Sequence, residues 1–184
     1  EDAGVKIGII RKCSSDDFEL NIRSVDTLGM NNDNSMAEHV SMSELTSILG
    51  ENIFESKQEQ ISEEISWQMG RPITFCGNEI RGLVERTRHM VSIAESSLAD
   101  IVPTKKAGFK RFIRREPIGI VFTVAPWNYP LLTAVNSIVP ALMAGNSVIL
   151  KPSAQTPLCG EHFVRAFQLA GLPEHVLQCM FLKH

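Results

Sequence analysis

Two polar residues stand just beyond short runs that carry no charge. Ile118–Ala125 stops at Pro126-Trp127-Asn128, and Ser147–Leu150 stops at Lys151-Pro152-Ser153. Two such runs joined by a helix-length connection read as a βαβ unit whose strands are buried on both faces. Asn128 and Lys151 then lie at the carboxyl ends of neighbouring parallel strands, where open α/β sheets place their ligands. On residue chemistry alone, Asn128 reads first as a cap for the helix that begins near Pro130. Lys151 directly follows a buried strand, which makes an ordinary surface lysine the weaker reading. The cysteines offer less. Cys13, Cys76, Cys159 and Cys179 form no C-x-x-C pair and no His lies at metal-ligand spacing, so no metal centre is expected. Cys159 falls early in a predicted helix, where the dipole could lower its pKa, but packing is its plainer role.

The elements that would position these residues follow from local pattern. Ile53, Ile61, Ile65 and Met69 fall near helical spacing from about Glu51, and Gly70 with Pro72 ends that helix. A second helix is predicted from about Gly77 to Ala99, with an apolar stripe of Ile80, Leu83, Val84, Thr87, Val91, Ala94 and Leu98. Phe109–Glu116 reads as a strand. With Lys105 and Lys106 before it, that segment carries six cations, which suits a solvated edge or an exposed hairpin used in subunit contacts. Pro130 suits the first turn of the connecting helix. Pro140 should kink it or end it early. Gly145 is a natural stop. Thr156-Pro157 starts the next helix, Gly171 and Pro173 close it, and His175–Leu182 reads as a third strand. Val5–Ile10 could be a short strand, but no period persists across residues 1–55. That segment is left unassigned and could be partly disordered.

Composition narrows the function classes. The chain has 184 residues, 43% of them hydrophobic, and a net charge of −3, which supports a packed core and gives no general reason to invoke nucleic acid. Residues 1–60 carry 5 Lys/Arg against 12 Asp/Glu, and the remainder 13 against 9, so a boundary near residue 60 is expected. The basic run lacks an aromatic stacking platform, which argues further against nucleic acid. Leu131–Leu150 is long enough to span a bilayer, but Pro140, Gly145, Asn136 and Asn146 favour a buried sheet layer over a membrane span. Scattered thiols and the lack of a signal-peptide pattern point to a reducing compartment such as the cytoplasm.

EPIGIVFTVAPWNYP, PALMAGNSVILKPSAQTP and AGLP, in that order, strongly resemble the N-terminal half of the NAD(P)-dependent aldehyde dehydrogenase superfamily. Upstream, ISWQMGRPI is similar to that family's Met-Gly-Lys-Pro turn, here with Arg71. The resemblance covers roughly residues 60–184. It implies a partial Rossmann-like, three-layer α/β domain over 56–184, with N-terminal helices and a protruding basic hairpin strand near 105–117 used for dimer or tetramer assembly. It implies oxidation of an aldehyde to a carboxylic acid with NAD or NADP. Asn128 would donate into the oxyanion hole. Val124, Ala125, Pro126 and Trp127 would pass beside the nicotinamide. Lys151, followed by Ser153, would reach the adenosine ribose. Many NAD-preferring relatives carry Glu three residues after that lysine; here the position is Ala154, so NADP stays open. The family's nucleophilic Cys in a G-Q-x-C context and its base Glu in an E-L-G-G context do not occur in this sequence. The 184 residues are therefore expected to be inactive alone. The alternatives are a non-catalytic truncated isoform or fragment that docks onto a full-length subunit, and a free-standing nucleotide-binding domain.

Overall fold

The computed structural model describes residues 51–182 continuously and, before them, five short strands: β1 (Gly8–Ile9), β2 (Cys13–Ser14), β3 (Asp17–Phe18), β4 (Leu20–Arg23) and β5 (His39–Val40). β1 and β5 both pair antiparallel with β4, and β2 pairs antiparallel with β3. β1 lies within the strand expected at Val5–Ile10. The disorder considered for residues 1–55 concerns positions mostly outside the described residues.

Helix α1 (Glu51–Ser56) leads through Lys57 into α2 (Gln58–Met69), which stops where the sequence says it should. Gly70 takes a left-handed φ of 76° and its N–H donates to the Ser66 carbonyl at 2.8 Å. This is the backbone conformation a side chain at that position would resist. Helix α3 runs from Ile73 to Leu98, starting four residues before the predicted Gly77. Pro72 supplies the non-helical residue before the first turn, so the break and the new helix share one proline. The predicted stripe is buried from Ile80 to Ala94, with Leu98 half-buried.

The βαβ reading holds. β6 (Ile120–Val124) and β7 (Ser147–Lys151) are parallel, with Ile120 opposite Ser147 and Val124 opposite Lys151. Helix α4 (Pro130–Met143) connects them. Pro140 lies inside α4 without ending it: the helix continues to Met143, and Ala144 N–H returns to the Pro140 carbonyl at 3.0 Å. Helix α5 (Pro157–Leu169) then leads to β8 (Leu177–Cys179), parallel to β7 and shorter than the predicted His175–Leu182. The basic segment departs from expectation. Phe109–Glu116 forms no strand, only single antiparallel bridges, Ile101 to Ile113 and Lys106 to Phe109. Four cations in eight residues favour solvation over a ladder, and Arg114 pairs with Asp100 at 2.8 Å instead.

The sheet order β6-β7-β8 is monotonic. Right-handed crossovers therefore place α4 and α5 on the same face. That face holds Val148, Leu150 and Leu177, all buried. The N-terminal helices α1–α3 pack over α4 and α5, giving three stacked layers. Phe54, Phe163 and Phe167 form the aromatic centre between α1 and α5, with ring centroids 5.3 and 6.4 Å apart. Along β6 the other face is open: Ile120, Phe122 and Val124 are 55%, 54% and 60% exposed. No described helix is long and apolar enough to cross a membrane.

A polar clasp ties α2 to α5: the Glu64 carboxylate is bonded to His162 Nε2. Partial burial pushes the Glu64 carboxyl up, but the bonds from His162 and Gln60 and the charges of His162 and Lys57 outweigh it, so the net shift is downward from 4.5. A depressed folded value means the stabilisation is present above the unfolded pKa and is lost as pH falls through the folded one. Urea midpoints measured from pH 6 downward should fall once the pH drops below about 4.5, and Glu64→Gln should flatten that part of the decline. An unchanged pH profile in Glu64→Gln would remove the clasp from the account.

Candidate functional site at the carboxyl edge of the sheet

The register confirms that the two polar exits share one edge. Val124 and Lys151 are direct Cα partners, and the ladder continues one step as Ala125 N–H donates to the Lys151 carbonyl at 3.0 Å. Ala125 is buried and Pro126 half-buried, while Val124, Trp127 and Asn128 are exposed. Lys151 is only 8% exposed, and among the described residues its side chain makes no hydrogen bond or ion pair. Ser153 is half-buried, and its Oγ accepts from Gln155 N–H at 3.2 Å. Ala154 lies in an exposed turn. Val124 to Asn128 and Lys151 to Ser153 thus lie together outside the sheet. They sit at the end of β6, whose far edge is unpaired among the described strands. In a doubly wound sheet that edge is where the winding reverses and the ligand crevice opens.

The structure answers the question of what caps α4. The residue before its first turn, Tyr129, contributes no side-chain cap, and neither does Asn128. The acceptor comes from α3. Glu79 Oε1 takes the N–H of Leu131 at 2.7 Å and of Leu132 at 3.1 Å. Its Oε2 is ion-paired with Arg71 Nη1, and the Glu79 side chain has no solvent exposure. Arg71 Nη2 donates to the Asn128 carbonyl, and the guanidinium lies 4.7 Å from the Tyr129 ring centroid. The Asn128 side-chain amide remains exposed and without a partner among the described residues. Helix α5 repeats the pattern. Thr156 makes no side-chain cap bond, and Gln68 Oε1 from α2 accepts the Leu158 N–H at 3.0 Å.

Sequence reasoning placed Asn128 and Lys151 but missed Glu79, Arg71 and Gln68 as supports. The signal for Glu79 was available: it lies three residues after Cys76 and four before Leu83, on the buried face of its helix. A carboxylate at such a position requires a partner.

The described cysteines are not poised for chemistry. Cys76, Cys159 and Cys179 are free thiols. Burial, with Glu79 and Glu64 adding to it, pushes the Cys159 thiol up to about 12. Any lowering by the helix dipole is overwhelmed. Burial and then Glu161 raise Cys179 to about 11. Among the described residues no cluster of His, Cys, Asp and Glu could hold a metal ion.

Residues 31–183 match the sequence profile of the aldehyde dehydrogenase family. An NADP+-dependent D-glyceraldehyde dehydrogenase of Picrophilus torridus is 32% identical over 120 residues, which is 65% of this chain and 24% of that protein. Among solved structures, an indole-3-acetaldehyde dehydrogenase in complex with NAD+ superposes with a TM-score of 0.69 at 31% identity. It covers 75% of this chain and 28% of that one. The NADP-dependent glyceraldehyde-3-phosphate dehydrogenase of Bacillus halodurans, complexed with NADP, gives a TM-score of 0.65 at 29% identity over 75% of this chain and 30% of its own. The chain spans about a quarter of the length of the curated relatives it matches.

Removing the buried carboxylate should be costly. Glu79→Ala strands the Arg71 guanidinium and two helix N–H groups, and unfolding in urea should show a loss of about 3–5 kcal/mol. Glu79→Gln retains an oxygen for Leu131 and Leu132 and should lose less. Equal losses in the two variants would mean that the helix-capping bonds contribute little.

Proposed function

The chain belongs to the aldehyde dehydrogenase family, and from that premise we propose that its sheet edge is part of a site oxidising an aldehyde to a carboxylic acid with NAD or NADP. The observation that carries this reading is the unpartnered Asn128 amide. The first turn of α4 is already satisfied by Glu79, so Asn128 is free to donate outward. Addition of a thiolate to an aldehyde carbonyl places negative charge on the oxygen as the tetrahedral adduct forms. A fixed amide N–H aimed at that oxygen stabilises the transition state more than the ground state. Loss of one such donor typically costs about 10²–10³ in rate, or roughly 3–4 kcal/mol.

The nucleotide edge suits a nicotinamide cofactor. Lys151 is 8% exposed, with its stem buried and its ammonium still reaching solvent, and it makes no hydrogen bond or ion pair among the described residues. A ribose hydroxyl or a phosphate at this edge would find in it an unpaired cation. Ser153 lies two residues further along the same exit. Val124, Ala125, Pro126 and Trp127 form the wall beside the neighbouring strand end. The cofactor, when bound, supplies the hydride acceptor; these residues orient it and exclude water. Ala154 puts no carboxylate near the ribose, so nothing at that position repels a 2′-phosphate, and both NAD and NADP fit.

Neither the G-Q-x-C nor the E-L-G-G context occurs in the sequence, and the thiols of Cys76 and Cys159, both buried, and of half-buried Cys179 are all pushed up by desolvation. We expect no turnover from these 184 residues alone. The open β6 face supports the companion reading of a non-catalytic piece that docks onto a full-length subunit, since a parallel sheet is normally covered on both sides. The exposed Phe109 and Phe112 in the basic segment fit a subunit contact in a dimer or tetramer. Three free thiols suit a reducing, cytoplasmic setting.

With only part of a crevice present, nucleotide affinity should be weak, about millimolar. Titration with NAD+ or NADP+ should shift the NMR amide signals of Val124, Ala125, Trp127, Asn128, Lys151 and Ser153, and Lys151→Ala should weaken binding several-fold. Shifts confined to other residues, or none at about ten millimolar nucleotide, would sink the assignment. Incubation with an aldehyde panel should yield no NAD(P)H; a measurable rate would overturn the expected inactivity.

A further inference from the structure

We propose that Arg71 and Glu79 are positioning residues that aim Asn128 by clamping the backbone from its carbonyl through the first turn of α4. The clamp is read from geometry alone; only its purpose rests on the oxyanion reading above. Residues 125–129 link the end of β6 to the first turn of α4, and Asn128 and Tyr129 are the last two residues of that link. Loop residues of this kind, exposed and outside any ladder, are where backbone order is ordinarily lowest. Here two side chains hold the link, Arg71 from the break between α2 and α3 and Glu79 from α3. One prong of the Arg71 guanidinium takes the Asn128 carbonyl, and the other prong takes Glu79 Oε2. The plane of the same group lies against the Tyr129 ring. Glu79 Oε1 takes the N–H groups of Leu131 and Leu132. Residues 128, 129, 131 and 132 are therefore tied to one ion pair, which is itself anchored in the core by the fully buried Glu79 side chain.

Each part has a role that its chemical type explains. A planar guanidinium offers donors in a fixed fork, so one residue can bridge a carboxylate and a carbonyl at a set angle. A carboxylate has acceptor capacity for the fork and for two helix N–H groups together. Gly70 matters as well: its left-handed turn releases the chain from α2 so that Arg71 starts beside the α4 terminus. The side-chain amide of Asn128 is exposed and makes no bond among the described residues. With its carbonyl held by Arg71 and the next turn held by Glu79, the backbone that follows its Cα has less freedom, which narrows where the amide can reach. Preorganisation of this kind is what an oxyanion donor requires, because a donor that must be ordered during the reaction contributes less.

The test is a graded series read by ¹⁵N backbone relaxation on the 184-residue chain. In the parent, Asn128 and Tyr129 should be as rigid as the helix that follows, with order parameters of about 0.85. Arg71→Lys keeps the charge beside Glu79 but replaces the fork with a single ammonium, and order at Asn128 should fall part way. Arg71→Met combined with Glu79→Gln removes both charges, leaves an oxygen for Leu131 and Leu132, and should drop Asn128 below about 0.6. Ala134–Val139 should keep their hydrogen-exchange protection throughout. Unchanged order at Asn128 across the series overturns the proposal. So does loss of protection along all of α4, which would make the pair a stability element and no more. If the double variant does not fold, Arg71→Lys against the parent decides alone. The two readings fail separately: absent nucleotide shifts in the parent would remove the functional reading, whereas a rigid Asn128 in Arg71→Lys would remove the clamp.

Discussion

A single carboxylate without solvent exposure connects the two halves of this structure. Glu79 belongs to α3, a helix that precedes the sheet, yet its bonds go to the first turn of α4, the helix that joins β6 to β7. A buried charge is tolerated only when it is paired and hydrogen-bonded. Here the pairing comes from Arg71, and the hydrogen bonds come from N–H groups that the start of any α-helix leaves unsatisfied. The favourable direction of the helix dipole adds to the same contact. The N-terminal helices are therefore more than a lid on the apolar side of α4 and α5. They supply the polar complement that allows α4 to begin where it does, immediately after the residue at the ligand edge.

The sheet imposes the other constraint. Because β6, β7 and β8 are ordered as they occur in the sequence, their crossover helices fall on one side, and the free edge of β6 marks where a winding reversal would lie. The exposed alternation of Ile120, Phe122 and Val124 follows from this geometry. β7 has a strand on each side and is buried at four of its five positions. The edge strand β6 is buried only at Thr123. The same topology that leaves the β6 edge free also leaves its outer face apolar and uncovered.

What the sequence made legible was whatever depends on short-range rules. Wholly apolar runs gave β6 and β7 and their parallel pairing, and Gly70, Gly145 and Gly171 marked helix ends that do adopt positive φ. Asn128 and Lys151 lie at the carboxyl ends of neighbouring parallel strands, as the sequence suggested, because strand ends are local. The misses required knowledge of partners distant in sequence. The apolar anchors of Phe109–Glu116 among its heavy positive charge suggested a strand, but no neighbouring strand pairs with it among the described residues, and only single bridges form. Pro140 sits on an exposed position of α4, where the lost N–H costs least, so the expected early end did not occur. Arg71 was noticed only as a departure from a motif. Its role depends on Asn128, 57 positions later, and on Glu79, which was overlooked within an apolar stripe.

The pattern of capping gives the site its logic. At both helix starts that follow a sheet strand, the residue best placed to cap contributes no side-chain bond, and a residue from the N-terminal helices does the work: Glu79 for α4 and Gln68 for α5. A side chain that caps its own helix is folded back against the backbone and is lost to chemistry. Delegating the cap to another helix leaves the amide at the β6 edge unbound while the turn that carries it stays fixed. Asn128 on its own could be either a cap or a donor. Glu79 satisfies the N–H groups that Asn128 would otherwise bind, so the exposed Asn128 amide is not consumed as a cap.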